Sequence, residues 1–281
     1  MTDQQESVAL VTGAASGIGR AIASTLADEW TVYATDVATD GLADAPDCET
    51  AQLDVTDDSA IERVLDRART AHGGVDCLVN NAGYAELGPV EDVPVDAVAD
   101  QFDVNVFGPL RLCRAVLPGM RERGGGRIVN VSSVLGWTAL PGLGIYSASK
   151  FGLGALSDAL RRELAGTGVD VTVVEPAWVQ TAFAETARRT LADRDQTQAY
   201  DAIYHLFERT PFLDGGMLAV SPETVAGTVQ TAATTAEPDS RYAVGPQARV
   251  VRATGALPDV VLDAVSRGLL RVGELLGDGD R

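Results

Sequence analysis

Short apolar runs alternate with longer segments of helical period through the first 175 residues, and this alternation sets the narrowest limit on the fold. Val8 to Thr12 reads as a buried strand and Thr31 to Thr35 as the next, with a helix from Ile18 to Glu29 between them. Further strands are expected at Ala51 to Val55, Asp76 to Asn80, Arg127 to Ser132 and Val169 to Glu175. Helices are expected from about Asp57 to Ala71, Pro94 to Arg121 and Gly144 to Ala165. Near-continuous apolar strands separated by helices imply an α/β fold: a parallel sheet covered by helices on both faces. Neither a Pro- or Ser-rich linker nor an internal repeat interrupts the pattern. One domain of 281 residues is therefore expected, with halves of about 1–130 and 131–281.

The last hundred residues break the rhythm. Thr181 to Thr210 reads as mostly helical, and residues 211–216 as loop. Ser221-Pro222-Glu223 has the form of a helix start, with Ser as N-cap and Pro at the first helical position. Arg241 to Val244 is expected as an edge strand. Pro258 to Leu276 carries an apolar stripe (Val261, Ala264, Val265, Leu269, Val272, Leu276), as a packing or subunit-contact helix would; the acidic Asp259, Asp263 and Glu274 speak against the alternative, a membrane-surface helix.

Composition excludes several classes of function. The chain has 40 acidic residues against 22 basic ones, a formal net charge of −18. Nucleic-acid binding needs clustered Lys and Arg to neutralise phosphates, and an anionic membrane surface needs the same. Hydrophobic residues make up 46% of the chain, enough for a sizeable core, so the acid must lie on a folded surface. Excess Asp with a single lysine suits a concentrated-salt cytoplasm, where the Debye length is ~3 Å and carboxylate repulsion is screened. Cys48, Cys77 and Cys113 are scattered and odd in number, which fits a reducing cytosol without disulfides. Two histidines leave a Ser-His-Asp triad or a His-based metal site poorly supplied. The N-terminus shows no signal-peptide pattern, and no run reaches the ~18 apolar residues of a membrane span, so a cytoplasmic location is expected.

Three local features carry chemistry. The first strand runs into Thr12-Gly13-Ala14-Ala15-Ser16-Gly17-Ile18-Gly19, which opens the first helix. Glycines there permit a tight turn and let the backbone approach a pyrophosphate at the helix's positive end. The absence of a following Lys excludes a Walker-type triphosphate loop. Asp36 follows the second strand, where a carboxylate either caps a turn or accepts hydrogen bonds from the ribose hydroxyls of NAD and repels the 2′-phosphate of NADP. Tyr146 and Lys150 are four residues apart in a helical segment and so share a face. A phenol with a pKa near ~10 is a poor base at neutral pH, and a neighbouring ammonium is expected to lower it. The chain's one lysine occupies that place, whereas every other cationic position uses Arg.

From about Val8 to Thr181 these residues resemble the short-chain dehydrogenases/reductases, a family with a Rossmann-type doubly wound sheet of about seven strands. The glycine turn is similar to the family's T-G-x-x-x-G-x-G, and Asn80-Asn81-Ala82-Gly83 to its N-N-A-G. The resemblance implies cofactor contacts from Gly13, Ser16, Gly17, Ile18, Gly19, Asp36, Asn81, Ala82 and Gly83. Asp54 and Val55 would meet the adenine ring. Pro176, Val179 and Thr181 resemble the P-G-x-V-x-T segment at the nicotinamide carboxamide, with Ala177 in place of the usual Gly. Ser133 matches the catalytic serine and Asn105 the structural and proton-relay asparagine. Tyr146 would exchange a proton with the substrate oxygen, Ser133 would hydrogen-bond that oxygen, and Lys150 would lower the tyrosine pKa and bind the nicotinamide ribose. Ser132 is the competing serine, expected to face the other way.

The implied activity is hydride transfer between NAD and a hydrophobic secondary alcohol or ketone, without a metal. Trp178 joins Ser133 and Tyr146 as a substrate contact. Phe183, Leu206, Phe207, Phe212, Leu213, Met217, Trp137 and Leu140 are either further pocket residues or ordinary core, and Arg188, Arg189 and Arg209 are solvated or face an anionic group. The substrate-covering region is expected at 182–220. The tail beyond Arg241 resembles the steroid- and retinol-dehydrogenase branch, and a homodimer or homotetramer is implied. The alternatives are an NADP-dependent carbonyl or 3-oxoacyl reductase and a non-catalytic cofactor sensor. Asp36 speaks against the first, and retention of all four of Asn105, Ser133, Tyr146 and Lys150 against the second.

Overall fold

The computed structural model describes residues 7–43, 47–180, 187–189, 191, 194–209, 219–254 and 257–278, without side chains at 209, 254, 269 and 272–278. Seven parallel strands form one sheet in the order β3-β2-β1-β4-β5-β6-β7. They are β1 (Val8–Thr12), β2 (Thr31–Asp36), β3 (Glu49–Gln52), β4 (Cys77–Asn80), β5 (Gly126–Val131), β6 (Val169–Pro176) and β7 (Arg241–Val244). The order reverses between β1 and β4. In a doubly wound sheet the ligand crevice opens at such a point, beyond the carboxyl ends of the strands.

Alternation along β1 feeds two cores. Val8 and Leu10 pack on one face with α2 (Asp58–His72) and α4 (Gly108–Glu122), whereas Ala9 and Val11 pack on the other with α1 (Gly17–Leu26) and α7 (Pro222–Thr234). α2 starts at Asp57, whose carboxylate accepts from the Ser59 N–H at 2.8 Å, and ends at Gly73 in the left-handed conformation. Ser221 caps α7 as expected, its Oγ accepting from Thr224 N at 3.3 Å ahead of Pro222.

Two expectations need correction. β3 lies at Glu49–Gln52, two residues before the expected start, because it is a half-exposed edge strand with no continuous apolar run; Leu53 and Val55 lie beyond its end and line the crevice. The long helix expected from Pro94 to Arg121 is three pieces: α3 (Val95–Phe102), a π-turn (Asp103–Phe107) and α4. The widened turn sits at Asn105, as such turns often do at functional positions.

Beyond the carboxyl ends of the strands a third apolar cluster joins Leu87, Leu135, Leu143 and Tyr146 to Tyr204 and Phe207 of α6 (Asp201–Arg209) and Ala248 of α8 (Pro246–Thr254). The final helix, α9 (Asp259–Asp278), packs against α6. Its Val261 and Val265 are exposed, and Leu270 meets the third cluster, so the buried stripe is rotated from the expected one. Leu269, Val272 and Leu276 lie outside the described side chains.

Candidate active site

The glycine turn and the Asn81-Ala82-Gly83 segment are laced together across the reversal point. Thr12 Oγ1 accepts from the backbone N–H groups of Asn81 and Ala82, each at 3.1 Å, and Asn81 Nδ2 donates to the carbonyls of Thr12 at 2.9 Å and Gly13 at 3.2 Å. Two glycines here are required by space. Gly13 has φ +69°, and a Cβ on Gly19 would lie 1.9 Å from the Gly13 carbonyl oxygen. Ser16 stands at the N-cap of α1 without a side-chain capping bond, and the first turn carries no acidic residue. The N–H groups and positive dipole end of α1 thus fit a pyrophosphate.

Asp36 ends β2. Its Oδ2 accepts from Ala15 N and its Oδ1 from Ala38 N, both at 3.0 Å, which fixes the carboxylate at the rim of the crevice. Asp54 is held similarly, accepting from Thr56 N at 2.9 Å and Thr56 Oγ1 at 2.7 Å. Asp36, Val37, Leu53, Asp54, Val55, Asp100 and Asp103 line this end. That end of the crevice is acidic, and among the described residues no arginine lines it.

The crevice, about 710 Å³, continues to Ser133, Tyr146 and Lys150. All three are nearly buried. Ser133 leaves β5 and caps a 3₁₀ turn at Val134–Gly136, its Oγ accepting from Leu135 N at 3.1 Å. Tyr146 and Lys150 lie one turn apart on α5 (Gly144–Glu163). Lys150 Nζ donates to the Val131 carbonyl at 3.1 Å and sits over the Tyr146 ring, 5.7 Å from its centroid.

Burial pushes the Tyr146 phenol up to about 12, against the lowering effect of a hydrogen bond from Ser133. Burial also pulls the Lys150 ammonium down to about 8. The expectation that the lysine holds the phenol low is therefore not met, because desolvation dominates and the ammonium lies over the ring face. Ser132 turns its Oγ to the Lys150 backbone carbonyl at 3.4 Å, while Ser133 bonds Tyr146, so the two serines diverge as expected.

Asn105 does not line the crevice. Its Oδ1 accepts from Tyr84 N at 3.1 Å, and its Nδ2 donates to Tyr84 O at 2.9 Å and to Ser149 Oγ at 3.1 Å. Gly83 lies between it and the lysine: a Cβ there would stand 2.9 Å from Asn105 Oδ1 and 3.7 Å from Lys150 Nζ. Sequence reading missed Gln101 and Ser149, which complete this buried polar group. The signal for Ser149 was present in its spacing three residues after Tyr146.

At the end of β6, Pro176, Ala177, Trp178 and Val179 line the crevice. Ala177 N donates to Val244 O at 3.0 Å, and Val179 bridges Val220. Among the described residues Asp47 is the one non-glycine at positive φ, so Ala177 needs no left-handed backbone. Thr181 lies outside the described residues, as do Phe183, Phe212, Leu213, Met217 and the side chain of Arg209. Leu206 and Phe207 are core, the latter packed on Gly142, where a Cβ would fall 2.2 Å from its ring. Trp137 is stacked under the Arg241 and Arg252 guanidiniums, 4.7 and 5.4 Å from its ring centroid, and is absent from the crevice lining. The apolar wall there comes instead from Val134, Leu135, Leu143 and Trp178.

A parallel doubly wound sheet with a glycine cradle, a carboxylate at the crevice rim and a Ser-Tyr-Lys group in one crevice defines a nicotinamide-nucleotide oxidoreductase. The chain belongs to the short chain dehydrogenase family, whose model matches residues 7–192. It is 38% identical over 255 residues to 17-beta-hydroxysteroid dehydrogenase type 1 of Homo sapiens, covering 84% of this chain and 76% of that one. A short chain dehydrogenase/reductase from Burkholderia phymatum in complex with NAD superposes with a TM-score of 0.77 at 27% identity, covering 94% and 96% of the two chains. Serine dehydrogenase complexed with NADP+ gives a TM-score of 0.73 at 30% identity, covering 85% and 95%. Among the described residues no helix is long and apolar enough to cross a membrane.

Proposed function

We propose that this oxidoreductase is NAD-dependent and interconverts a hydrophobic secondary alcohol and its ketone. The observation that carries the reading is the continuity of one crevice from Asp36 to Ser133, Tyr146 and Lys150. NAD held there would accept or supply the hydride. Gly13, Ser16, Gly17, Ile18 and Gly19 would hold its pyrophosphate, Asp36 its adenosine ribose, Asp54 and Val55 its adenine, and Asn81, Ala82, Gly83, Pro176, Val179 and Thr181 its nicotinamide side.

The chain's own residues then manage one proton. The Tyr146 hydroxyl gives its proton to the substrate oxygen in reduction and takes it back in oxidation. Ser133 donates to that oxygen and stabilises the negative charge it develops. Lys150 holds a positive charge beside the phenol and binds the nicotinamide ribose. Val134, Leu135, Leu143 and Trp178 exclude water and favour an apolar substrate. The similarity to a 17-beta-hydroxysteroid dehydrogenase points the substrate search to hydroxysteroids and alcohols of like shape. The reading extends to a homodimer or homotetramer, which light scattering would size.

Tyr146→Phe tests the mechanism. Turnover of every alcohol accepted by the wild type should disappear, while NAD still binds as judged by isothermal titration calorimetry. Near-normal rates in that variant would rule the mechanism out.

A further inference from the structure

The Asn105 carboxamide is held by a hydroxyl whose own bonds are all committed. Ser149, fully buried on α5, donates from Oγ to the Tyr146 backbone carbonyl at 2.7 Å. The same oxygen accepts from Asn105 Nδ2 at 3.1 Å and from Gln101 Nε2 at 3.2 Å. A hydroxyl has one proton and two lone pairs, so Ser149 is saturated. Gln101, fully buried on α3, accepts at Oε1 from the backbone N–H of Glu86. A backbone N–H can only donate. The amide of Gln101 is thereby oriented with its NH₂ toward Ser149, and Ser149 must send its proton to Tyr146.

This polarity reaches Asn105. With the Ser149 proton committed, the oxygen presents only lone pairs to Asn105, which must offer Nδ2, and this reinforces the orientation that the Tyr84 carbonyl and N–H also require. A flipped carboxamide would set its oxygen against those lone pairs and its NH₂ against the Tyr84 N–H. Leaving such buried groups unpaired costs about 1–3 kcal/mol each. The orientation that survives leaves Oδ1 turned to Tyr84 N on the Gly83 side, the side on which Lys150 Nζ also lies.

We propose that Gln101 and Ser149 are positioning residues that fix the orientation of Asn105 beside Lys150, and so keep proton exchange at Tyr146 from limiting turnover. This rests on the reading of Tyr146 and Lys150 given above, but it concerns two residues that do not line the crevice.

The test compares Ser149→Ala, the near-isosteric Ser149→Cys and Gln101→Met with the wild type by two independent readouts. The first, amide hydrogen exchange over residues 84–86, needs no substrate. Exchange of the Tyr84 N–H should speed up about tenfold in the variants, because the Asn105 clamp on it loosens; Glu86 is not counted in Gln101→Met, which removes its acceptor directly. The second is turnover of a wild-type substrate in H₂O and D₂O. kcat should fall about tenfold with KM nearly unchanged, and its solvent isotope effect should rise as proton transfer becomes limiting. Ser149→Thr, which keeps the hydroxyl on the same preceding carbonyl, should restore both. Wild-type exchange of the Tyr84 N–H in the folded variants would overturn the proposal, whatever the activity. So would a fall in kcat without a change in isotope effect. A wild type inactive on every alcohol tested would count against the proposed function alone, and the exchange readout would still decide this inference.

Discussion

The Lys150 ammonium lies over the face of the Tyr146 ring, 5.7 Å from its centroid, with both side chains nearly buried. Burial moves the two groups in opposite directions, the phenol up to about 12 and the ammonium down to about 8. Each is driven toward its neutral form.

Because the chain has a single lysine, its titration can be read directly. In protein labelled with ¹⁵N-lysine, the one side-chain signal should titrate near pH 8 in the absence of cofactor. The stability linkage has a definite sign. Between about 8 and the ordinary lysine value of ~10.4, the unfolded chain binds the proton that the folded chain has released, so stability rises with pH through that window. The associated stabilisation is present above the unfolded value and is lost as pH falls through about 8. Lys150→Met should remove the rise and raise Tm at pH 7. A lysine that titrates above 10 would contradict the buried placement.

The glycine turn and the Tyr146–Lys150 spacing were legible in the sequence because each is a local pattern with one structural outcome. The strands were legible where both faces are buried, as in β1 and β6. β3 was misplaced because an edge strand of half-exposed residues carries no such pattern, and the apolar Leu53 and Val55 beside it serve the crevice. The π-turn at Asn105 was invisible because α3 and α4 keep helical periodicity on either side, and the partners of the Asn105 side chain, Tyr84 and Ser149, lie 21 and 44 residues away. Trp137 and Phe207 were equally ambiguous. Apolarity does not distinguish a side chain under a guanidinium or a glycine from one that faces substrate.

Cofactor choice should turn on Asp36. Its carboxylate lines the crevice and bonds Ala15 N and Ala38 N. Asp36→Ser removes the charge that opposes a 2′-phosphate but leaves a small acceptor. The KM for NAD should rise about tenfold, and that for NADP should fall, each tenfold step corresponding to ~1.4 kcal/mol. Steady-state kinetics with both cofactors check this. A wild type with the lower KM for NADP would reverse the assignment.

Arg241 should matter to folding more than to chemistry. It pairs with Glu175, which is almost fully buried, and with Asp158 at 3.0 Å, while stacking on Trp137. Arg241→Ala strands the Glu175 carboxylate in the core, a loss of about 3–5 kcal/mol. Adding Glu175→Leu removes the stranded charge and should recover part of the loss. Urea unfolding of the three proteins measures it; additive losses in the double variant would show that the two groups do not depend on each other.

Salt should stabilise the whole chain. The net charge of −18 sets exposed carboxylates against one another, and the exposed pairs Arg63–Asp57 and Arg67–Glu49 are loose, at 3.7 and 3.5 Å. Loose exposed pairs contribute ~0–1 kcal/mol each, so their loss on screening is small. Relief of repulsion among 40 acids facing 22 bases should then dominate. As KCl rises from 0.1 to 1 M the Debye length shrinks from ~10 to ~3 Å, and Tm should climb over that interval and flatten beyond it. Sucrose at matched osmolality separates screening from the general strengthening of burial by excluded solutes, because it leaves the charges unscreened. A Tm that is highest in dilute buffer, or that sucrose raises as much as KCl does, would mean that the acidic surface is not a salt adaptation.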